Sequence, residues 1–185
     1  PVFPGFFIAL IGVFSGANLI SKDLRHNALS IYLSKPISWT DYLIGKISVM
    51  VFLLLMITCI PCLLLFIEHS LLSKDLGFFL QNYWILGSIL VYSLVVIFPL
   101  SLLIVTFSSL TTDMRYAAVW FVSVLTGTPI LQEIIEQTTR NRQTEIISIW
   151  GNFDILGIQL FGLASESKVT WIWSAAILMI MIVVL

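Results

Sequence analysis

From Leu76 to Thr112 the chain runs without a charged residue, and most of that stretch is aliphatic or aromatic. A helix needs about 20 mostly apolar residues to cross a hydrocarbon core of about 30 Å. Lipid leaves bare backbone groups unsatisfied, so a segment of this kind is helical if it spans a bilayer. The remainder of the sequence has the same character: 59% of residues are hydrophobic and 10% are charged. With a mean hydropathy of +1.05, this is the composition of an integral membrane protein rather than a soluble domain. The fold class expected is therefore all-α, a polytopic helical membrane protein.

Five stretches approach spanning length: 2–20, 42–67, 83–109, 116–131 and 169–185. Five transmembrane helices in one membrane domain covering 1–185 is the resulting expectation. Because the chain opens on Pro1 and ends within an apolar run at Leu185, it is expected to be a fragment of a longer subunit. Between the first two stretches lies a polar island, Ser21 to Lys46, and between the third and fourth lies the short turn Thr111 to Arg115.

If each stretch crosses once, those two polar segments share one side, and 68–82 and 132–168 share the other. The first side holds Lys22, Arg25, Lys35, Lys46 and Arg115 against three Asp residues; the second holds Lys74, Arg140, Arg142 and Lys168 against seven acidic residues. The positive-inside rule then places the island in the cytoplasm. Trp39, Tyr42, Tyr83, Trp84, Tyr116, Trp120, Trp171 and Trp173 cluster near span ends, where an aromatic body is buried while its polar atom stays wet. A formal net charge of −1 with scattered basic residues gives no field for nucleic acid.

Within the spans, Gly12 and Gly16 form a GxxxG pair, which allows a second helix to approach closely. Pro61 and Pro99 are expected to kink their helices. After Pro129, residues 130–136 read as a short amphipathic helix, and 146–164 as short helices lying in or dipping into the outer interface, because Asn152 and Asp154 make a full crossing costly.

The island has its own pattern. Leu24, Ala28 and Tyr32 recur at helical spacing from Ser21 to Leu33, and Lys35-Pro36 ends the helix because a residue before proline is pushed out of the helical region. Ser38 with Asp41 three positions later is a helix-start signal, in which the hydroxyl accepts an orphan N–H and the carboxylate favours the positive helix end. A helix, a sharp stop and a newly capped helix make a compact projection between two spans.

Three segments carry a resemblance to a known family. Asp23, Arg25, Ala28, Leu29, Tyr32, Leu33, Ser34, Lys35 and Pro36, followed by Asp41, Tyr42, Gly45 and Lys46, resemble the cytoplasmic loop of ATP-binding-cassette (ABC) exporter permeases of the second type. SSLTTDMRYAA (108–118) resembles that family's short inner turn, and NFDILGIQLFG (152–162) its segment before the last span. Trp39 stands where the family commonly has a basic residue.

The resemblance implies a permease subunit of an ATP-driven exporter in the plasma membrane of a bacterial or archaeal cell. The loop 21–41 would hold a coupling helix that docks on a separate ABC ATPase subunit, with Asp23, Arg25, Tyr32, Lys35, Pro36 and Asp41 as coupling residues. A second permease subunit would pair with this one in the lipid bilayer. ATP and Mg would bind on the partner ATPase, with no cofactor or metal expected in this chain. That fits the absence of a GxxxxGK[ST] phosphate loop.

Two readings compete. A passive membrane anchor would bind partners without moving substrate. A thiol redox enzyme would use Cys59 and Cys62, a CxxC pair that is reactive when a thiolate is stabilised, although the apolar run around it raises the thiol pKa. Intramembrane hydrolysis lacks a pattern such as HExxH around His26 or His69.

Overall fold

In a computed structural model of the chain, residues 2–28, 38–72, 82–139, 142–163 and 170–185 are described. Among these the structure is helical, with no strand. In chain order, α1 is Val2–Ile11, followed by a π-helical turn at Gly12–Gly16 and the short α2, Ser21–Arg25. Helix α3 is Trp39–Leu72, α4 is Trp84–Leu110 and α5 is Met114–Thr139. A 3-10 turn at Arg142–Ile147 leads to α6, Ile149–Leu160, and α7 is Trp171–Val184.

Among the described residues, four segments are long and apolar enough to cross a membrane: Phe7–Arg25, α3, α4 and α5. A further, shorter apolar helix, α7, has 14 residues and occupies the stretch expected as the fifth span.

The uncharged run supplies the hub. Of the apolar window in α4, 56% is buried, against 22% in α3 and 11% in α5. A helix that is apolar all round has no face reserved for water, so it can be enclosed by neighbours. Helices α3, α5, α6 and α7 and the 12–16 turn all pack on it. Ile97, Leu100 and Ile104 of α4 meet Ile20, Met50, Leu54, Phe121 and Phe153 in one core cluster. On α3 much of the apolar surface faces outward: Phe52, Leu64 and Leu65 are each about 60% exposed, a surface suited to lipid.

Gly12 and Gly16 sit at the crowded centre. A Cβ on Gly12 would collide with the Phe121 ring, and one on Gly16 with Ile104 and Met50. Their small size lets α4 and α5 close over the first segment.

Two sequence expectations are corrected. Helix 21–33 is not continuous: α2 ends at Arg25, and Asn27 takes φ +50. That left-handed conformation is one that asparagine tolerates and that terminates a helix. Tyr32, Lys35 and Pro36 lie outside the described residues. The span expected at 116–131 and the short helix after Pro129 are one helix, α5, which passes through Pro129 to Thr139. Proline 129 has no N–H for the Leu125 carbonyl four residues earlier, and the Trp150 indole N–H donates to that carbonyl instead at 3.1 Å.

In 146–164, helix α6 is tied into the bundle: Phe153 and Asn152 are buried, and Gly157 lies against the Tyr92 ring of α4. The Asn152 amide donates to the carbonyls of Ile146 and Ser148 at 2.7 and 2.9 Å, fixing the 3-10 turn to the helix start. Asp154 is partly buried, and burial pushes its carboxyl above the usual carboxylate range.

Candidate functional site

The two polar segments that the alternation of spans assigned to one side meet at one end of the bundle. Helix α2 contacts both α4 and α5, and three sets of side-chain bonds hold the junction.

The innermost set centres on Ser108, fully buried near the end of α4. Its Oγ accepts from the backbone N–H groups of Ile20 and Ser21 at 2.9 and 3.0 Å and donates to the Ala17 carbonyl at 3.1 Å. Ser21 Oγ donates to the same carbonyl at 2.6 Å. The start of a helix leaves N–H groups without intrahelical partners. Here a serine from another helix satisfies two of them, so the turn 17–20 and α2 are fixed to α4.

The second set joins α2 to α3. Asp23 accepts from the Tyr42 hydroxyl at 2.7 Å and pairs with Lys46 Nζ at 2.7 Å. Tyr42 and Lys46 are four residues apart and so share one helix face; the ammonium also lies 5.4 Å from the Tyr42 ring centroid. The pair is largely shielded, with side chains 16% and 24% exposed for Asp23 and Lys46. Burial opposes ionisation of Asp23. The hydrogen bonds from Lys46 and Tyr42, with the charges of Lys46 and Lys22, outweigh it and hold the carboxyl below its usual range.

The third set is outermost: Arg25 pairs with Asp113 at 3.5 Å, both more than half exposed. Such a pair contributes under about 1 kcal/mol. It marks proximity of the two polar turns more than it holds them.

At the start of α3, Ser38 and Asp41 form a capping box. The Asp41 N–H donates to Ser38 Oγ, and the Ser38 N–H to the Asp41 carboxylate, each at 3.2 Å. Hydrogen bonds from the Ser38 hydroxyl and N–H hold the Asp41 carboxyl below its usual range. Trp39 stacks on Tyr42 beside it, with ring centroids 5.6 Å apart.

Of the residues singled out from the sequence, Asp23, Arg25 and Asp41 are therefore gathered near one end. Asp23 is engaged within the chain rather than presented outward, whereas Arg25 and Asp41 are exposed. Ser108, Tyr42 and Lys46 complete the junction. Ser108 carries no local pattern that marks it; only the fold brings it to residues nearly ninety positions away. Tyr42 and Lys46 were legible as part of the family-like loop, but their partner was not.

A cavity of about 450 Å³ opens where α2 meets the 112–115 turn. Its wall combines Lys22, Arg25 and Arg115 with Asn18, Ser21 and Asp113. Elsewhere, Cys59 is buried in α3 and Cys62 is exposed, both as free thiols. Among the described residues no group of His, Cys, Asp or Glu is placed to hold a metal. Comparison of the chain with family models, with curated proteins and with solved structures gives no match.

Proposed function

We propose that this chain is a membrane-spanning permease subunit of an ATP-driven ABC exporter, working by alternating access in a plasma membrane. Its partners in this reading are a separate ABC ATPase subunit, which binds ATP and Mg, and a second permease subunit. The reading starts from the family-like residues of the island, the inner turn and the 152–162 segment.

The observation that carries it furthest is the junction at one end of the bundle. Through Asp23–Tyr42–Lys46 and Ser108, the polar projection is bonded to α3 and α4, and through Arg25–Asp113 it reaches the start of α5. A force on such a projection is delivered to three helices at once, since packed helices transmit displacement rather than absorb it. In this reading Asp23 is a positioning residue that fixes the loop to α3. Arg25 and Asp41, with Tyr32, Lys35 and Pro36, form the docking surface.

The test is co-purification of the protein with its candidate ATPase in mild detergent, comparing the native loop with Arg25→Glu/Lys35→Glu. Retention of the ATPase by the native loop and its loss with two reversed charges is the expected result. Failure of any ATPase to associate with either form would sink the reading and leave the membrane anchor.

A further inference from the structure

The cavity between α2 and the 112–115 turn has a charge balance that the helix junction does not use. Three cationic side chains, Lys22, Arg25 and Arg115, line it against one carboxylate, Asp113. Asp113 is already paired with Arg25. Among the described residues, neither Lys22 nor Arg115 lies within ion-pair distance of a carboxylate. Both are exposed. The wall also includes Met114 and Arg115, the first two residues of α5. A helix N-terminus adds unpaired N–H groups and a positive end to whatever occupies the space beside it. Asn18, which is exposed, adds a polar side chain to the lining, whereas the buried Ser21 hydroxyl donates to the Ala17 carbonyl.

The depth of the cavity selects among anions. It lies where the apolar part of the first segment ends at Ile20, and where α4 ends at Leu110 and α5 begins. Immediately beyond Arg115 on α5, Tyr116, Val119 and Trp120 are each about 60% exposed. Rings of this kind sit at headgroup level in a bilayer, and the adjoining apolar surface gives acyl chains a place to lie. A volume of about 450 Å³ holds a phosphodiester headgroup. Basic pockets between helices at this depth bind anionic lipid headgroups.

The geometry points to a binding site for the phosphate headgroup of an anionic phospholipid, held by Lys22, Arg115 and the start of α5. The site does not rest on the transporter reading. A lipid bound here would bridge α2 and α5 across the same gap that Arg25–Asp113 spans, strengthening a contact that is otherwise screened by water.

The experiment is calorimetric titration of the detergent-solubilised full chain with short-chain phosphatidylglycerol, short-chain phosphatidylcholine and inorganic phosphate. Phosphatidylglycerol is expected to bind roughly tenfold or more tightly than phosphatidylcholine, and more tightly than inorganic phosphate. Lys22→Gln/Arg115→Gln should weaken phosphatidylglycerol binding roughly 30-fold. The charge-conserving pair Lys22→Arg/Arg115→Lys should stay within about threefold of the native protein. Equal affinity for the two lipids would overturn the proposal, as would equal loss in the charge-conserving pair. Inorganic phosphate binding as tightly as phosphatidylglycerol would replace the lipid site with a soluble-phosphate site. These variants leave Arg25 and Lys35 intact, so the outcome is separable from that of the ATPase co-purification.

Discussion

Asp23 is the residue through which the polar island is held to the long helix that follows it. Its carboxylate takes a phenolic hydrogen bond from Tyr42 and an ammonium contact from Lys46, and it is mostly shielded from water. Removing one partner of such a set leaves the other charge poorly solvated, at a cost of about 1–3 kcal/mol. Because the Asp23 pKa is lowered in the folded chain, the folded state holds fewer protons than the unfolded state as the pH falls through the carboxylate range. The stabilisation is thus complete above the ordinary value of 3.8 and is lost as the pH falls below it, through the folded pKa. Thermal denaturation of the native chain and of Asp23→Asn, each from pH 7 down to pH 3, checks this. The native protein is expected to be the more stable at pH 5 to 7, with the gap closing below about pH 4. A gap that is constant over the whole range would show that the carboxylate charge is not what holds α2 to α3.

At the scale of elements, α5 shows how a local signal is overridden by a distant partner. Proline inside a helix costs about 3 kcal/mol or more, and the apolar run ends shortly after Pro129, so a break there is the natural reading. The helix instead continues because Trp150, from the segment after it, donates its indole N–H to the Leu125 carbonyl. Trp150→Phe keeps the apolar ring and removes that donor. Its expected cost is about 1–3 kcal/mol, with faster amide hydrogen exchange confined to residues 130–139. Unchanged exchange there would mean that packing of α5 alone carries the helix through the proline. What could be read from sequence follows the same division. The capping box of Ser38 and Asp41 and the uncharged core of α4 depend on residues close in sequence, and both were legible. The bonds of Ser108 to Ile20 and Ser21, of Trp150 to Leu125, and of Asp23 to Lys46 depend on which helices become neighbours, and composition and periodicity do not specify that. Asn27 is intermediate. Asparagine is a known helix stop, but the apolar spacing of Leu24, Ala28 and Tyr32 runs straight through it and hides the break.

For the whole molecule, the order of polar and apolar segments makes a claim about sidedness that the fold meets at one end. Residues 21–28, 38–46 and 111–115 converge, whereas Cys59, Phe66 and Ile89 pack with Phe161 and Leu125 meets Trp150 toward the other end. Helix α5 decides whether these two ends lie on opposite sides of a bilayer. From Met114 to Leu131 it rises about 27 Å at 1.5 Å per residue, close to the hydrocarbon thickness of about 30 Å. Gln132, Glu133 and Glu136 then begin a polar turn that is costly to keep in lipid. The eight residues after Leu131 add about 12 Å, enough to carry Thr139 into the headgroup layer or beyond. With Cys59 and Cys62 replaced by serine, single cysteines at Asp113→Cys and Thr138→Cys would be tested in sealed vesicles with a membrane-impermeant maleimide. Asp113→Cys should label from one side only and Thr138→Cys from the other. Adding Lys22→Cys in a third variant should reproduce the side of Asp113→Cys, because Arg25 of the same short helix α2 touches Asp113. Labelling of positions 113 and 138 from the same side would mean that α5 does not cross. The bundle would then lie along the membrane rather than through it, and a transport path between its ends would have no physical basis.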